Sequence, residues 1–235
     1  MIEITNLKKT FNGKIAVDIP SLQIAEGSLV GIVGNNGAGK TTLFRLILDL
    51  LKADTGCVRI DGKDVAKDEH WKQTTGSFLD SHFLIEFLTA EEYLYFVGQV
   101  YGLSKDETAL RVAAFARFLH GEILGERKYI RNLSAGNKQK LGILAAMMVH
   151  PRLLILDEPF NYLDPSSQLE MRDLLLRMNK EEKTSILISS HNLAYTIDIS
   201  SRLILLEQGL ILKDISDREQ ATEELGNYFL KESEA

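Results

Sequence analysis

The chain holds a single cysteine, Cys57, and four prolines in 235 residues. One cysteine excludes an intramolecular disulfide and a cysteine-rich zinc site. Its place between Gly56 and Val58, beside an apparent strand, suits a small buried hydrophobe. Long apolar runs are also missing. The longest nearly apolar stretch, Leu141 to Val149, is far short of the ~18–20 residues that a membrane span needs. The opening MIEITNLKKT has an early acid and no apolar core, so no secretory leader is expected. There is no basic excess either: 27 Lys and Arg against 33 Asp and Glu leave a formal charge of −6. That argues against a dedicated nucleic-acid binder, whose footprint is basic, and no nucleic-acid partner is expected. The 45% hydrophobic and 26% charged fractions are those of a soluble globular chain. At this length the expectation is one large domain, or one domain carrying a sizeable insertion.

Along the chain, short β-like runs at Ile2–Ile4 and Ser21–Ile24 alternate with turn signals at Asn12-Gly13 and Glu26-Gly27. Leu29–Val33 is a continuous apolar run, followed by a glycine-rich stretch and the apolar-periodic segment Thr42–Leu51. The pattern then turns helical, with segments Glu91–Tyr101, Lys105–His120 and Ala135–Val149. Buried-type strands return at Leu153–Leu156 and Ser185–Ser189. Between these two, Asp164-Pro165 starts a helix with Leu169, Arg172 and Leu176 on one face. Gln208-Gly209 marks a hairpin and Asp217–Leu230 a terminal helix. Apolar runs alternating with helices predict an α/β fold, a mostly parallel sheet covered by helices on both faces. An N-terminal antiparallel β part precedes it, and a helical insertion spans about 81–150.

Gly34-Asn35-Asn36-Gly37-Ala38-Gly39-Lys40-Thr41 matches G-x-x-x-x-G-K-[ST] in full. The glycines let successive N–H groups turn inward at phosphate oxygens, and the following helix, opening through Thr42, adds the positive end of its dipole. Lys40 supplies a point charge, and the Thr41 hydroxyl is suited to ligate Mg²⁺. A strand before the loop and a helix after it make this a nucleoside triphosphate site.

Leu153-Leu154-Ile155-Leu156-Asp157-Glu158 ends a buried strand in two acids, at the strand end where open α/β sheets bind ligands. Asp157 is placed to hold Mg²⁺ through water, and Glu158 to polarise an attacking water beside the γ-phosphate. His191 ends the second such strand. It could contact the γ-phosphate and that water, or serve as a local hydrogen-bonding residue. With Lys40, these make the expected catalytic set. His70, His82, His120 and His150 lack such a context and are read as surface or packing residues.

Together these residues resemble the ATP-binding subunit of ABC transporters, a P-loop NTPase family, over nearly the whole chain. The discriminating segment is Leu133-Ser134-Ala135-Gly136-Asn137 before a helix, similar to the family's Leu-Ser-Gly-Gly-Gln signature. The resemblance implies that Ser134 and Gly136 bind the γ-phosphate held by an opposite subunit. Phe11 resembles the aromatic that stacks on adenine; a core aromatic is the competing reading. Asn161-Tyr162-Leu163-Asp164 resembles the loop that crosses the dimer interface. Gly76-Ser77-Phe78-Leu79-Asp80 resembles the strand leading to a Mg²⁺-sensing loop that touches the membrane partner. Asp80 stands there in place of glutamine, either as a Mg²⁺ ligand or as a plain turn acid. Ala135, Asn137 and Tyr162 are further departures from the family pattern.

The resemblance implies ATP and Mg²⁺ as cofactors, and a single ATPase domain over 1–235 whose activity powers transport through a separate integral membrane permease. It also implies a second ATPase subunit, expected as a homodimer, and a cytoplasmic place on the inner face of the membrane. Val97–Leu103 (VGQVYGL) is similar to subunits of bacterial multidrug, peptide or polysaccharide exporters. The alternatives are a non-transport ATPase acting on ribosomes or DNA and a regulatory ATP-binding protein with low turnover. One phosphate loop, and ~50 residues between the sensing loop and the signature, fit neither the two-domain ribosomal members nor the coiled-coil repair members. Lys140 where a guanine-reading aspartate should stand excludes a GTPase.

Overall fold

The computed structural model describes residues 1–125, 127–191 and 193–233, without the side chains of residues 194 and 230–233. Two sheets form from runs of different hydrophobic period. The first is antiparallel, in the order β2-β1-β4-β5, from β1 (Ile2–Phe11), β2 (Lys14–Ile24), β4 (Thr55–Ile60) and β5 (Lys63–Asp64). The second has the order β10-β9-β3-β8-β7-β6. It comprises β3 (Leu29–Val33), β6 (Thr75–Phe78), β7 (Leu153–Leu156), β8 (Ser185–Ser190), β9 (Arg202–Glu207) and β10 (Leu210–Ile215). All its pairings are parallel except the β9–β10 hairpin that turns at Gln208-Gly209.

The continuous apolar runs are explained by burial on both faces. On β7, Leu153 and Ile155 point into a core shared with the antiparallel sheet and helix α1 (Lys40–Ile47). Leu154 and Leu156 point the other way, into a core shared with the later helices. β8 divides in the same manner, with Leu187 on the first side and Ile186 and Ile188 on the second. Each such side chain adds ~1.5–3 kcal/mol of hydrophobic stabilisation.

The helical stretch supplies α2 (Ala90–Val100), α3 (Lys105–Ala113), α4 (Ala116–Leu119) and α5 (Ala135–Met147). α2 and α3 each begin with a reciprocal capping box, Thr89 with Glu92 and Ser104 with Glu107. α5 packs directly on β6 and β7. Its approach to β6 is so close that a Cβ added to Gly142 would stand 2.0 Å from the Phe78 ring. Two main-chain hydrogen bonds stitch the preceding segment to the loop before α2, Ile130 N–H to Leu88 O at 2.8 Å and Arg131 N–H to Glu86 O at 3.0 Å. Lys138 Nζ adds a bond to Glu86 Oε1 at 3.0 Å.

Several boundaries differ from the sequence expectation. α1 stops at Ile47 rather than Leu51, because Asp49 takes a left-handed φ of 51°. The single helix expected over Lys105–His120 breaks at Ala114-Phe115. No glycine or proline marks that break; it lets Phe115, Phe118 and Leu119 turn together into the core. α6 (Pro165–Glu181) starts where expected, but its inward face is Met171, Leu174, Leu175 and Met178. Leu169 is exposed and Arg172 and Leu176 are half-buried, so the face these three share is the outer one. α7 (Leu193–Ile199) and α8 (Arg218–Ser233) complete the fold. Cys57 is half-buried on β4 rather than fully buried.

Asp54 fastens the end of β1 that carries Phe11. Its carboxylate accepts from the Thr10 backbone and hydroxyl, both at 2.7 Å, and from Lys9 Nζ at 2.8 Å. These donors hold its pKa down to about 2. A depressed acid stabilises the fold above its unfolded pKa and loses that contribution as pH falls through the folded value. Asp54→Asn should therefore lower the thermal midpoint at pH 6–7, and its difference from the parent should vanish as pH is lowered toward 2. A pair of melting curves at several pH values checks this; a pH-independent difference would contradict it.

Candidate functional site: the cleft at the sheet's C-terminal edge

Parallel order in β3, β8 and β7 brings three loops to one edge. Gly34 to Gly39 leave β3 and open α1, and two of the glycines are needed by geometry. At Gly34 (φ 155°) an added Cβ would stand 2.2 Å from Leu206 O, and at Gly39 (φ 107°) 2.3 Å from Ala16 O. A side chain at either place would force the loop off the sheet. The resulting cleft, about 220 Å³, is lined by Ala16, Asn36, Gly37, Ala38, Gly39, Lys40, Thr41, Thr42 and Glu158. Gly34 and Asn35 sit behind it and hold its cation: Lys40 Nζ donates to Gly34 O at 2.7 Å and Asn35 O at 3.2 Å. The same ammonium is 3.4 Å from Glu158 Oε1 and only 6% exposed.

Asp157 follows β7 and is buried. The Thr41 hydroxyl donates to its Oδ2 and the Ser189 hydroxyl to its Oδ1. Burial pushes its pKa above the ordinary carboxylate value, and the two hydroxyls oppose that rise. Glu158, next along, has a left-handed φ of 49°, which costs a non-glycine residue roughly 1–2 kcal/mol. Four groups hold it there. Its N–H donates to Ser189 Oγ at 2.9 Å, and its carbonyl accepts from Gln139 Nε2 at 3.2 Å. Oε2 accepts from the His191 backbone N–H at 3.2 Å and lies 2.8 Å from His191 Nδ1.

The structure thus brings together Lys40, Thr41, Asp157, Glu158 and His191. It does not bring in Asp80. That residue is absent from the cleft wall, and its carboxylate is taken by the His82 backbone and Nδ1 at 2.7 and 2.8 Å, with Arg45 at 3.7 Å. Of the two expectations for Asp80, its geometry here is that of the turn acid, capping residues 81–83. Among the described residues no three acid, histidine or cysteine side chains converge as a metal site. Phe11 is 48% exposed with Lys9 Nζ 5.6 Å from its ring centre, so it is not a core aromatic.

Ser134 and Gly136 also lie outside the cleft of their own chain. Ser134 caps α5, its hydroxyl accepting from the Asn137 N–H at 3.1 Å. Gly136 packs on the loop after Glu158, where a Cβ would stand 2.7 Å from Tyr162 O. Lys140, only 3% exposed, approaches Asp164 at 3.8 Å. Asp164 caps α6, and the hydroxyls of Ser166 and Ser167 hold its carboxyl far below the usual range.

Sequence reading missed Ser189, Gln139 and Lys140. Ser189 left a weak signal, a hydroxyl after the apolar run of β8, whereas Gln139 and Lys140 are masked by the polar run from Asn137 to Lys140. The His120, His150 and His82 rings pair with Glu170, Glu182 and Asp80 away from the cleft.

Known proteins resemble this chain in sequence and in fold. The family described as ABC transporter matches residues 17–161. The bacitracin transport ATP-binding protein BcrA of Bacillus licheniformis is 33% identical over 216 residues, covering 92% of this chain and 69% of that protein. A sulfate/thiosulfate import ATP-binding protein, CysA 2 of Shewanella oneidensis, is 29% identical over 89% of this chain and 60% of its own length. Among solved structures, the ATP-binding subunit of an ABC transporter superposes with a TM-score of 0.83 at 26% identity, covering 96% of this chain and 93% of that one. The dimeric cassette MJ0796 superposes with a TM-score of 0.83 at 24% identity, covering 92% of this chain and 98% of that chain.

The raised pKa of Asp157 makes a prediction of known sign. Its ionised form is disfavoured by folding, so the cost is full above the folded pKa and fades as pH falls toward the unfolded value. Asp157→Asn should raise the thermal midpoint of the nucleotide-free protein by a few degrees at pH 7. The gain should shrink as pH is lowered toward the ordinary carboxylate range, and melting curves without nucleotide over that range check it.

Proposed function

Because the chain belongs to the ABC transporter family as an ATP-binding subunit, and is an ATPase, we propose that two copies close head to tail around two ATP molecules to drive a separate membrane permease. The observation that carries this reading is the division of the site. The cleft of one chain holds the phosphate loop and the acid pair, while the capped helix end at Ser134 faces elsewhere. A helix N-terminus is suited to an anion, and a second copy can supply one.

In this reading the inward N–H groups of residues 36–41 and the Lys40 ammonium take the phosphates. Mg²⁺ fits the Thr41–Asp157 pair: two adjacent oxygens, one from a buried carboxylate, match a hard cation that retains water. When bound it neutralises phosphate charge. Glu158, turned into the cleft by its left-handed backbone, orients and polarises the attacking water, and His191 fixes the carboxylate through Oε2. Exposed Phe11 stacks on the adenine. Cleavage replaces one bridging anion by two products and loosens the pair.

Among the described residues no helix is long and apolar enough to cross a membrane. We place the protein on the cytoplasmic face through its permease, with exposed Phe83 and Phe87, in the loop after β6, as the contact. We assign the direction as export, on the likeness of Val97–Leu103 to exporter subunits.

Two measurements test the reading. Lys40→Ala should weaken ATP binding by ~1–3 kcal/mol, the scale of a charge-assisted hydrogen bond, as read by nucleotide titration; equal affinity would remove Lys40 from the site. Glu158→Gln should lower turnover ~10²–10⁴-fold while binding survives. That variant should accumulate as an ATP-held dimer in light scattering, and adding Ser134→Arg should abolish the dimer. An ATP-bound Glu158→Gln protein that stays monomeric would contradict the homodimer.

A further inference from the structure

Gln139 belongs to α5, the helix that begins at Ser134, yet its side chain ends in the opposite direction, against the loop that carries Glu158. It is 6% exposed, and its Nε2 donates to Glu158 O at 3.2 Å and to Pro159 O at 3.4 Å. We propose that Gln139 is a positioning residue that locks Glu158 in its left-handed backbone, so that the water-orienting carboxylate moves with α5. The proposal rests on the reading of Glu158 given above and adds what controls it.

The physical case begins with the backbone. A strand that continued past Asp157 with ordinary φ would carry the Glu158 side chain away from Lys40. The value of 49° turns it back, and a bulky residue holds such a value only when its surroundings over-determine it. The N–H is fixed by Ser189 from β8. The carbonyl is fixed from two sides, by Asn161 N–H at 3.1 Å within the turn and by Gln139 from outside it. The turn bond is local and persists in many loop conformations, whereas the Gln139 bond exists only when α5 is seated.

Glutamine is well matched to the task. Its amide has two N–H donors and no charge, so it can serve two neighbouring carbonyls in a buried place without a desolvated ammonium. From Gln139 to Met147 every residue of α5 is buried, and apart from Lys140 the remainder are apolar or glycine. A polar side chain in that run needs partners, and the partners it has are the carbonyls beside the proposed base. Gln139 lines no part of the phosphate cleft. Its loss should therefore leave ATP affinity alone and strike the chemical step.

The test uses the full chain with Gln139→Met, close in volume and without a donor, and Gln139→Asn, which keeps an amide but is one methylene too short. Both should bind ATP as the parent does. Both should lose about 10–100-fold in kcat with KM unchanged, the scale of a misplaced catalytic group. In a Glu158→Gln background Gln139→Met should cause no further loss, because the group it positions is already gone. Hydrogen exchange supplies a readout free of turnover: the amides of 158 and 161 should exchange faster in both variants, with the rest of β7 and β8 unchanged.

A parental kcat in Gln139→Met, an equal fold-loss in both backgrounds, or unchanged exchange at 158 and 161 would overturn the proposal. Loss of exchange protection across the whole sheet would also overturn it, since the residue would then be one of general packing. If Glu158→Gln itself turned over like the parent, the reading of Glu158 would fail, and faster exchange at 158 in the Gln139 variants would still report the positioning contact.

Discussion

A carboxylate taken out of water has to be given donors, and at Asp157 the donors come from two segments far away in the chain. Thr41 arrives on α1 from the loop after β3, and Ser189 on β8. For both hydroxyls to reach it, β8 must lie between β3 and β7, all three parallel and in step. The register does this, pairing Leu156 with Ile188 and Val33 with Ser190. Moving β8 by one residue would turn Ser189 to the other face of the sheet and take that donor from Asp157. The phosphate loop, the acid pair and His191 share one edge because the apolar alternation of these strands favours this register.

Much of that was legible in the sequence. The phosphate loop, the acids closing β7 and the serine cap of α5 are local patterns, each fixed by residues within a few positions of one another. Strand β7 was placed to the residue, because four apolar residues between a proline turn and two acids admit little else. What was not legible is long-range. Nothing near Gln139 or Ser189 says that they meet Glu158, and nothing near Asp80 says that Arg45 approaches it. Which face of α6 turns inward is likewise set by what packs on it, Met171, Leu174, Leu175 and Met178. The break after Ala113 is made by the core that Phe115 enters, not by a helix-breaking residue.

The departures from the family signature sort themselves by contact. Ala135 is exposed on the first turn of α5, where a methyl group meets nothing and favours the helix. Asn137 contributes its backbone N–H to the Ser134 cap, a bond indifferent to the side chain. Gly136 is the position with no latitude, pressed on the Tyr162 carbonyl. Tyr162, 74% exposed with a φ of 63°, carries an aromatic ring outward on a backbone that suits glycine.

The stitching of the segment before α2 to the segment before α5 has a mechanical meaning. Two main-chain bonds and the Lys138–Glu86 pair leave no slack between exposed Phe87 and the front of α5. A linkage of that kind behaves as a stiff strut rather than a tether: it transmits compression as well as tension. α5 is about 20 Å long at 1.5 Å per residue, and just past its midpoint Gly142 beds it on Phe78 without clearance. A rod clamped near its middle and pushed at one end pivots instead of sliding. Displacement applied at the surface loop therefore reaches Ser134 nearly undiminished, and is geared down toward zero where α5 meets the sheet.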